Sequence, residues 1–299
     1  MKILVLGGSG SIGFNLVKKL IENGHHVEFT YFKNKIPGFK CHFLDITDKA
    51  KTMDLIKKTK PEIVIHCVSI PSVDLAETNQ SLANSINIDG TRNIINSCKG
   101  IVSKIIYISS SFVYENKNKV NYETSKTQPN TYYGKTKLEA EILIRESQLD
   151  FLILRTDQPY NWIEKWQKEN SVVRVLKHLN RKKALKEIID WYNVPTYIPD
   201  LAKAIEFLIK KEASGIFNVV GDDYVNRYDW SCNVADVFNL NKKLIIPIKS
   251  EELNIAVKRP NINLSNKKLV EKTGINMSGI YSGAISMKNE HKLKLTNKF

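Results

Sequence analysis

The sequence predicts an α/β fold built on a doubly wound parallel sheet. Two observations support this prediction. Short apolar runs of buried-strand length alternate with helical runs through the first half of the 299 residues, and three glycines separate the first strand from the first helix. Regular alternation favours a parallel sheet, and such sheets bind ligands at the carboxyl ends of their strands. We therefore expect the residues that follow each strand to form the functional site.

The first strand and the glycines after it form the strongest local pattern. Residues 2–6 are predicted to be a buried strand, and the helical run that follows the glycines ends at Asn23-Gly24. The G-x-x-G-x-x-G spacing between them is one residue longer than the Rossmann fingerprint. Both spacings provide a tight turn, close backbone approach to a pyrophosphate and a helix N-terminus that attracts anions. The cofactor contacts expected here are Gly7, Gly10, Ser11, Ile12 and Gly13.

The end of the second strand bears on the choice of cofactor. NAD-binding enzymes place an Asp or Glu about 20 residues beyond the glycines, where it accepts from the ribose 2′-hydroxyl. Residues 30–35 of this chain contain no carboxylate, and Glu28 lies too early in the strand. Lys33 and Lys35 are instead suited to a 2′-phosphate. We therefore expect NADPH, with NADH as the alternative.

The later strands are expected to complete the cofactor site. Apolar runs predict them at residues 41–45, 61–68, 104–111 and 151–155. After the third strand, Asp45 can accept from an adenine amino group, and the end of the fourth strand would face the cofactor. The contacts expected after these two strands are Asp45, Ile46, Cys67, Val68 and Ser69.

A tyrosine and a lysine four residues apart indicate the reactive groups. Tyr133 and Lys137 open a helical run, so their side chains lie one turn apart on the same face. We expect the Lys137 charge to favour phenolate and to lower the pKa of Tyr133 below its ordinary value of about 10. Tyr133 would then donate a proton near neutral pH, as reduction of a carbonyl requires. The same spacing also occurs in amphipathic helices without function, and the glycine motif favours the functional interpretation.

Composition argues against several other functions. The four cysteines form no C-x-x-C pair and the six histidines form no H-E-x-x-H cluster, so we expect no metal site. No apolar run has the length of a membrane span, and the net charge of +14 is spread along the chain without a nucleic-acid-binding signature. We expect a cytoplasmic enzyme that binds neither nucleic acid nor membrane and whose positive field attracts anionic ligands.

Several longer motifs together resemble one enzyme superfamily across nearly the whole chain. They are the glycine motif, DITD at 45–48, VDLAE at 73–77, NIDGT at 87–91, SSSFVY at 109–114 and YGKTKLEAE at 133–141. This set resembles the extended short-chain dehydrogenase/reductase superfamily. The segments VPTYIPDLA at 194–202 and KRPN at 258–261 are more particular to the sugar-nucleotide reductases. Among these, the chain is most similar to the dTDP-4-dehydrorhamnose reductase family.

The resemblance implies roles for individual residues. In the superfamily the catalytic hydroxyl precedes a Val-Tyr pair by two intervening residues, which selects Ser110. Ser110 would hydrogen-bond the carbonyl oxygen, Tyr133 would protonate it, and Lys137 would hold the nicotinamide ribose. The alternative is that the serines at 109–111 only satisfy backbone groups at the strand end. The residues expected at the substrate are Ser111, Gln158 and Arg259.

Two of these substrate residues leave the specificity open. The family often has a substrate-contacting tryptophan where this chain has Gln158, and Trp162 or Trp166 would replace it unless both belong to the core. Arg259 either clamps a substrate diphosphate with its planar fork or lies on the surface before a turn-forming proline. The nucleotide and the sugar therefore stay undetermined at this stage.

The function that the resemblance implies is NADPH-dependent reduction of the 4-keto group of a nucleotide-linked 4-keto-6-deoxy sugar, as in biosynthesis of dTDP-L-rhamnose or related deoxysugars. Two alternatives stay open: a nucleotide-sugar 4-epimerase or dehydratase of the same superfamily, and a non-catalytic regulatory subunit of the same fold. We expect residues 1–160 to form an NAD(P)-binding Rossmann domain and residues 161–299 a smaller substrate-binding region, whose helix at about 196–211 packs back on the first domain. A nucleotide sugar is the expected partner, and a homodimer is compatible with the resemblance.

Overall fold

The chain folds around one large parallel sheet, and the computed structural model describes residues 1–70, 72–115 and 119–296, with side chains described as far as residue 290. The strands are β1 (Lys2–Leu6), β2 (His26–Tyr31), β3 (Cys41–Phe43), β4 (Ile63–His66), β5 (Lys104–Ser110), β6 (Val120–Asn121), β7 (Asp150–Thr156), β8 (Pro159–Tyr160), β9 (Leu185–Ile188), β10 (Tyr192–Asn193), β11 (Thr196–Tyr197), β12 (Gly215–Asn218), β13 (Val225–Asn226), β14 (Ile245–Ile248) and β15 (Asn263–Leu264). The helices are α1 (Ser11–Glu22), α2 (Lys49–Thr59), α3 (Val73–Thr78), α4 (Gln80–Asn84), α5 (Gly90–Cys98), α6 (Tyr132–Arg145), α7 (Ser171–Asn180), α8 (Ile198–Lys210), α9 (Arg227–Val237), α10 (Lys267–Thr273) and α11 (Ile280–Thr296).

In the described part of the chain, seven strands form the central sheet in the order β12-β7-β5-β4-β1-β2-β3. Every neighbouring pair in it is parallel. The strand order reverses at β1, which pairs with β2 on one side and with β4 on the other. Open parallel sheets bind ligands at such a reversal, outside the carboxyl ends of the strands. The predicted doubly wound parallel sheet is confirmed.

Apolar side chains cover both faces of the sheet, as parallel strands require. In β1, Ile3 and Val5 belong to the core that α1 and α8 share, whereas Leu4 and Leu6 belong to the core of α2, α5 and α6. All four side chains have 0% exposure. Burying a side chain of this size contributes about 1.5–3 kcal/mol, so the alternating pattern of β1 holds helices on both sides.

Residues beyond 160 contribute both to the central sheet and to a separate layer. β12 pairs with β7 at the edge of the sheet, and α8 packs against α1. A further core lies among α7, α9 and α11, next to the parallel pair β9 and β14. The region predicted as a second unit, residues 161–299, thus returns one strand and one helix to the first sheet. The division near residue 160 itself stays a prediction.

Candidate active site

The loop between β1 and α1 forms a backbone cradle at the reversal of strand order. Gly7 has a φ of +77°, in the left-handed region that favours glycine, and its amide donates to Thr30 Oγ1 at 2.9 Å. A Cβ on Gly13 would collide with the Gly7 carbonyl oxygen. The helix starts at Ser11, after Gly10, with no side-chain cap and no acidic residue in its first turn. Its first amides can therefore bind an anion such as a pyrophosphate.

The end of β2 offers a lysine where an NAD enzyme would place a carboxylate. Glu28, within β2, is buried and lies 2.9 Å from Lys40 Nζ and 2.7 Å from His42 Nε2. Burial opposes its ionisation, but hydrogen bonds and charges from Lys40 and His42 hold the pKa of Glu28 at about 2. Glu28 is thus engaged with residues on the β3 side, while Lys33 is exposed in the bend after β2.

The segments after β3 and β4 adjoin this loop. Val68 lies so close to Gly7 that a Cβ on the glycine would approach Val68 Cγ2 to 3.0 Å. Asp45 Oδ1 accepts from the amide of Thr47 at 2.9 Å and from its hydroxyl at 2.8 Å, which holds the carboxylate in a tight turn. Ile46, next to it, is buried. The contacts predicted after these strands therefore lie at the carboxyl edge of the sheet.

A cavity of about 300 Å³ contains the predicted catalytic residues. Its walls come from the start of α1, from the ends of β4, β5 and β7, and from the start of α6. These elements meet because the carboxyl ends of parallel strands lie at one edge of the sheet. The predicted site residues that line the cavity are Ile12, Cys67, Ser69, Ser110, Tyr133, Lys137 and Gln158.

Local features of α6 bring Tyr133 to this cavity. The side chain of Thr131 caps the helix and accepts from the Gly134 amide at 3.1 Å. A Cβ on Gly134 would collide with the Phe112 carbonyl oxygen, so glycine allows α6 to approach the turn that follows β5. The rings of Tyr133 and Phe112 meet edge to face with centroids 6.0 Å apart. This packing holds the start of α6 beside Ser110.

Lys137 is buried one turn after Tyr133, with 1% exposure. Its Nζ donates to the Ile108 carbonyl oxygen at 2.7 Å and lies 4.1 Å from the centroid of the Tyr107 ring. Burial lowers the pKa of Lys137 to about 7, although the negative charge of Glu141 opposes the shift. Lys137 is therefore only partly charged at neutral pH.

The expectation that Lys137 lowers the pKa of Tyr133 is wrong. Burial raises the pKa of Tyr133, and the charge of Asp157 adds to the rise, while hydrogen bonds with Ser69 and Ser110 oppose it. The expectation assumed a fully charged lysine on a solvated helix face, whereas burial makes Lys137 only partly charged. Tyr133 is consequently a protonated phenol at neutral pH, the state in which it can donate a proton.

The three serines that end β5 and begin the following turn have separate partners. Ser109 Oγ donates to Glu141 Oε1 at 2.5 Å, and Ser111 Oγ donates to Asp157 Oδ1 at 2.9 Å. Ser110 lines the cavity, and its Oγ accepts a hydrogen bond from the Phe112 amide at 3.2 Å. The Ser110 hydroxyl can still donate its own proton to another acceptor. Ser111, predicted at the substrate, has 0% exposure and lies behind the cavity lining.

Asp157 is a cavity residue that the sequence analysis missed. Its carboxyl is 4% exposed and accepts from Ser111 Oγ and from the Val194 amide, each at 2.9 Å. Burial raises the pKa of Asp157 to about 6, against hydrogen bonds and the charge of Arg227, which lower it. A carboxylate directly after a buried strand was the signal available in the sequence. Its hydrogen bond with the Val194 amide joins segments that no local pattern relates to each other.

Gln158 and Arg259, both predicted at the substrate, have partners within the protein. Gln158 lines the cavity with a φ of +38°, and its Oε1 accepts from Arg227 at 3.1 Å. Arg259 donates to Asp74 Oδ2 at 2.5 Å and to the Val257 carbonyl oxygen at 2.6 Å. The Arg259 side chain is 12% exposed and does not line the cavity. It is therefore not a surface arginine, and it is not positioned at the cavity to bind a substrate diphosphate.

The two tryptophans considered as stacking surfaces lie elsewhere. Trp162 Nε1 donates to the Met287 carbonyl oxygen at 2.7 Å, within the core next to α11. Trp166 Nε1 donates to the Ser9 carbonyl oxygen at 3.2 Å and so supports the glycine loop. Neither ring lines the cavity. Neither tryptophan therefore provides, in the cavity, the stacking surface that Gln158 lacks.

The described residues offer neither a metal site nor a membrane-spanning helix. Within residues 1–70, 72–115 and 119–296, no three His, Cys, Asp or Glu side chains are grouped to hold a metal ion. Over the same described ranges, no helix combines the length and apolar character needed to cross a bilayer. The reactive groups that the cavity offers are hydroxyls, one amine, one carboxyl and the thiol of Cys67.

Comparison with known proteins adds a family match and several relatives. Residues 1–287 match the family described as RmlD substrate binding domain. Methionine adenosyltransferase 2 subunit beta of Xenopus tropicalis is 28% identical over 280 residues, covering 92% of this chain and 83% of that protein. A dTDP-4-dehydrorhamnose reductase of Aggregatibacter actinomycetemcomitans is 28% identical over 242 residues, covering 79% of this chain and 78% of that protein.

A solved structure shows the same fold. The crystal structure of dTDP-4-dehydrorhamnose reductase from Bacillus anthracis in complex with NADP superposes with a TM-score of 0.86 and 23% identity. The match covers 97% of this chain and 100% of that one. At this identity the likeness establishes the fold, while substrate and cofactor have to be argued from the residues of this chain.

Proposed function

Because this chain belongs to the RmlD substrate-binding domain family, we propose that it reduces the 4-keto group of a nucleotide-linked 4-keto-6-deoxy sugar with NADPH. The observation that carries the proposal is the cavity in which Ser110, Tyr133 and Lys137 meet beside the glycine loop. The relatives named dTDP-4-dehydrorhamnose reductase support the substrate class.

The glycine loop fits the pyrophosphate of a nicotinamide dinucleotide. Gly7 takes a left-handed conformation, Gly13 has no room for a Cβ, and the first turn of α1 has neither a side-chain cap nor an acidic residue. Lys33, exposed in the bend after β2, would bind a 2′-phosphate, which favours NADPH over NADH. When bound, the cofactor supplies the hydride for the carbonyl carbon. The other residues proposed to hold it are Gly10, Ser11, Ile12, Asp45, Ile46, Cys67, Val68 and Ser69.

Tyr133 would supply the proton that the reduction requires. It is a protonated phenol at neutral pH because burial raises its pKa. Ser110, which lines the same cavity as Tyr133, would donate a hydrogen bond to the same substrate oxygen. Lys137 would bind the ribose next to the nicotinamide, and its positive form would stabilise the phenolate after transfer. A positioned acid of this kind contributes about 10²–10⁴-fold to the rate.

A second candidate function is that of a non-catalytic regulatory subunit. The observation that favours it is the 28% identity to methionine adenosyltransferase 2 subunit beta across 83% of that protein. A purely regulatory role would not require a hydroxyl, a phenol and a buried lysine on one cavity wall. We therefore place the reductase first, and activity measurements can separate the two.

The deciding experiment follows NADPH oxidation with a panel of nucleotide-linked 4-keto-6-deoxy sugars. The wild type should consume NADPH stoichiometrically, and Tyr133→Phe should lose about 10²–10⁴-fold in kcat while it binds NADPH as before. Tyr132→Phe is the matched control, because the Tyr132 hydroxyl donates to Asn84 at 2.9 Å and lies outside the cavity lining.

Each alternative has its own outcome in that experiment. Wild-type turnover in Tyr133→Phe would show that the acid is assigned wrongly. A wild type that binds NADPH but oxidises none of it with any sugar would favour the regulatory subunit. Protein that purifies with tightly held NAD and interconverts two sugar nucleotides without consuming reductant would favour the epimerase.

A further inference from the structure

A second hydroxyl, that of Ser69, adjoins the Tyr133 phenol. Ser69 follows β4 and lines the cavity together with Ser110 and Tyr133, and its hydroxyl acts to lower the pKa of the phenol. A serine hydroxyl has one proton and two lone pairs, so its effect on Tyr133 depends on where that proton points.

Asn87 determines this direction, because its side-chain amide is held in one orientation. Asn87 Oδ1 accepts from the Ile70 amide at 3.0 Å, and a backbone amide can only donate, which places the oxygen on that side. Asn87 Nδ2 donates to Thr136 Oγ1 at 2.9 Å. Thr136 Oγ1 donates in turn to the carbonyl oxygen of Tyr133 at 2.9 Å. Both ends of the Asn87 amide are therefore fixed.

Ser69 must consequently donate to Asn87. Ser69 Oγ lies 3.1 Å from Asn87 Oδ1, which carries no proton, so the single proton of Ser69 occupies this hydrogen bond. Toward Tyr133, Ser69 presents only lone pairs. In the resting protein Ser69 can therefore only accept a hydrogen bond from the phenol O–H.

The backbone around Asn87 is a second, independent indication that the contact between Ser69 and Asn87 is functional. Asn87 lies in a π-helical turn, Ser85–Asp89, between α4 and α5, and is 1% exposed. Single π-helical turns are rare and are frequently found at functional sites. Here the turn presents the Asn87 amide to the chain segment Ser69–Ile70 and to Thr136 on α6.

We propose that Ser69 is a positioning residue for Tyr133, which orients the phenol proton in the resting protein and turns its own proton to the phenolate after transfer. The inference rests on the proposed function in that Tyr133 is the acid. During transfer the Tyr133 O–H bond breaks and its proton passes to the substrate alkoxide. The Ser69 O–H then rotates from Asn87 Oδ1 to the phenolate, and Asn87 Oδ1 keeps the Ile70 amide.

Other groups around the phenol act on its ionisation as well. Lys137 follows it on α6, Tyr107 lies on β5, Asp157 follows β7, and Cys67 follows β4. Burial and Asp157 raise the pKa of Tyr133. Since none of these groups changes when Ser69 is replaced, the contribution of Ser69 can be measured by difference.

The test measures the ionisation of Tyr133 directly, without substrate. Protein labelled with 3-fluorotyrosine is titrated by ¹⁹F NMR, and the Tyr133 signal is identified by its loss in Tyr133→Phe. Ser69→Ala should raise the pKa of Tyr133 by about one to two pH units, since a hydrogen bond to a charged group is lost. Ser69→Thr keeps the hydroxyl and should restore the wild-type value. Ser72→Ala, on the same cavity wall, should have no effect, because the Ser72 hydroxyl caps α3.

An unchanged pKa of Tyr133 in folded Ser69→Ala would overturn the inference. If the alanine variant does not fold, Ser69→Cys, whose S–H is a weaker donor, should show a smaller rise, and no rise would refute the proposal equally. In an active enzyme the alkaline limb of kcat/KM should move to higher pH in Ser69→Ala. A protein that shows the shift but oxidises no NADPH would retain the role of Ser69 and reject the reductase.

Discussion

Removal of the Arg155 guanidinium is expected to destabilise the fold by about 3–5 kcal/mol, because it leaves a buried carboxylate unpaired. Arg155 on β7 donates from Nε and from Nη2 to the two oxygens of Glu141 on α6, at 3.0 and 2.6 Å. The side chains are 2% and 0% exposed. Glu141 stands one turn after Lys137, so this pair also holds the helix that carries the reactive residues.

The magnitude follows from the partners that each group retains. In Arg155→Met, Glu141 keeps only the hydrogen bond that Ser109 Oγ donates at 2.5 Å, and its charge stays buried. In Arg155→Met/Glu141→Met no charge is left. Tyr114, which receives a bond from Arg155, still donates to Asn218 at 2.8 Å, so the main loss is the acceptor of Ser109, about 1–3 kcal/mol. The double variant should therefore be more stable than the single one.

Urea unfolding of the wild type, Arg155→Met and the double variant measures both free energies and their coupling. Lys242→Met is the control, since the Lys242–Asp236 pair at 3.0 Å has both partners more than half exposed and should matter little. The reasoning would be refuted if Arg155→Met lay within about 1 kcal/mol of the wild type. A double variant less stable than Arg155→Met would refute it as well.

Three further predictions concern the cofactor and the pH dependence. Lys33→Glu should reverse the preference for NADPH over NADH in fluorescence titrations, and an unchanged preference would show that Lys33 does not meet the 2′-phosphate. Gly13→Ala should weaken NADPH binding by at least about tenfold, because its Cβ would collide with the Gly7 carbonyl, while circular dichroism shows the fold intact. Lys137 has a folded pKa of about 7 against an ordinary 10.5, so between these values the unfolded chain binds one more proton and this residue raises the free energy of unfolding by about 1.4 kcal/mol per pH unit. Below about pH 7 both states are protonated, so this residue adds no pH dependence there. Lys137→Met should lack this increase of stability with pH in urea unfolding measured at successive pH values. A wild-type slope in that variant would contradict the assignment.

Part of the site could be predicted because it depends on local spacing. The glycines at 7, 10 and 13 dictate a turn and a helix start whatever the rest of the chain does. Tyr133 and Lys137 share a helix face through their separation alone. Ser110 follows a buried strand, and parallel strands bring such ends to one edge of the sheet. The cavity that contains these residues was therefore foreseeable, although their roles still await the experiments above.

Electrostatics and distant contacts could not be predicted in this way. The expected direction of the Tyr133 pKa shift is wrong because the burial of Tyr133 and Lys137 depends on elements far from α6 in the sequence, such as β5 and the turn that follows it. Arg259 pairs with Asp74, 185 residues earlier, and no pattern in either segment indicates the other.

By itself, the sequence determined the alternation of strands and helices, the glycine loop and the residues at the strand ends, because hydrophobic period and backbone freedom act over a few residues. Tertiary structure alone decided that β12 returns to the sheet beside β7, and that Asn87 fixes the proton of Ser69. It also decided that Asp157 is buried at the cavity. These features depend on which groups lose water together and which donors meet which acceptors, and both are set only when segments far apart in the chain pack against each other.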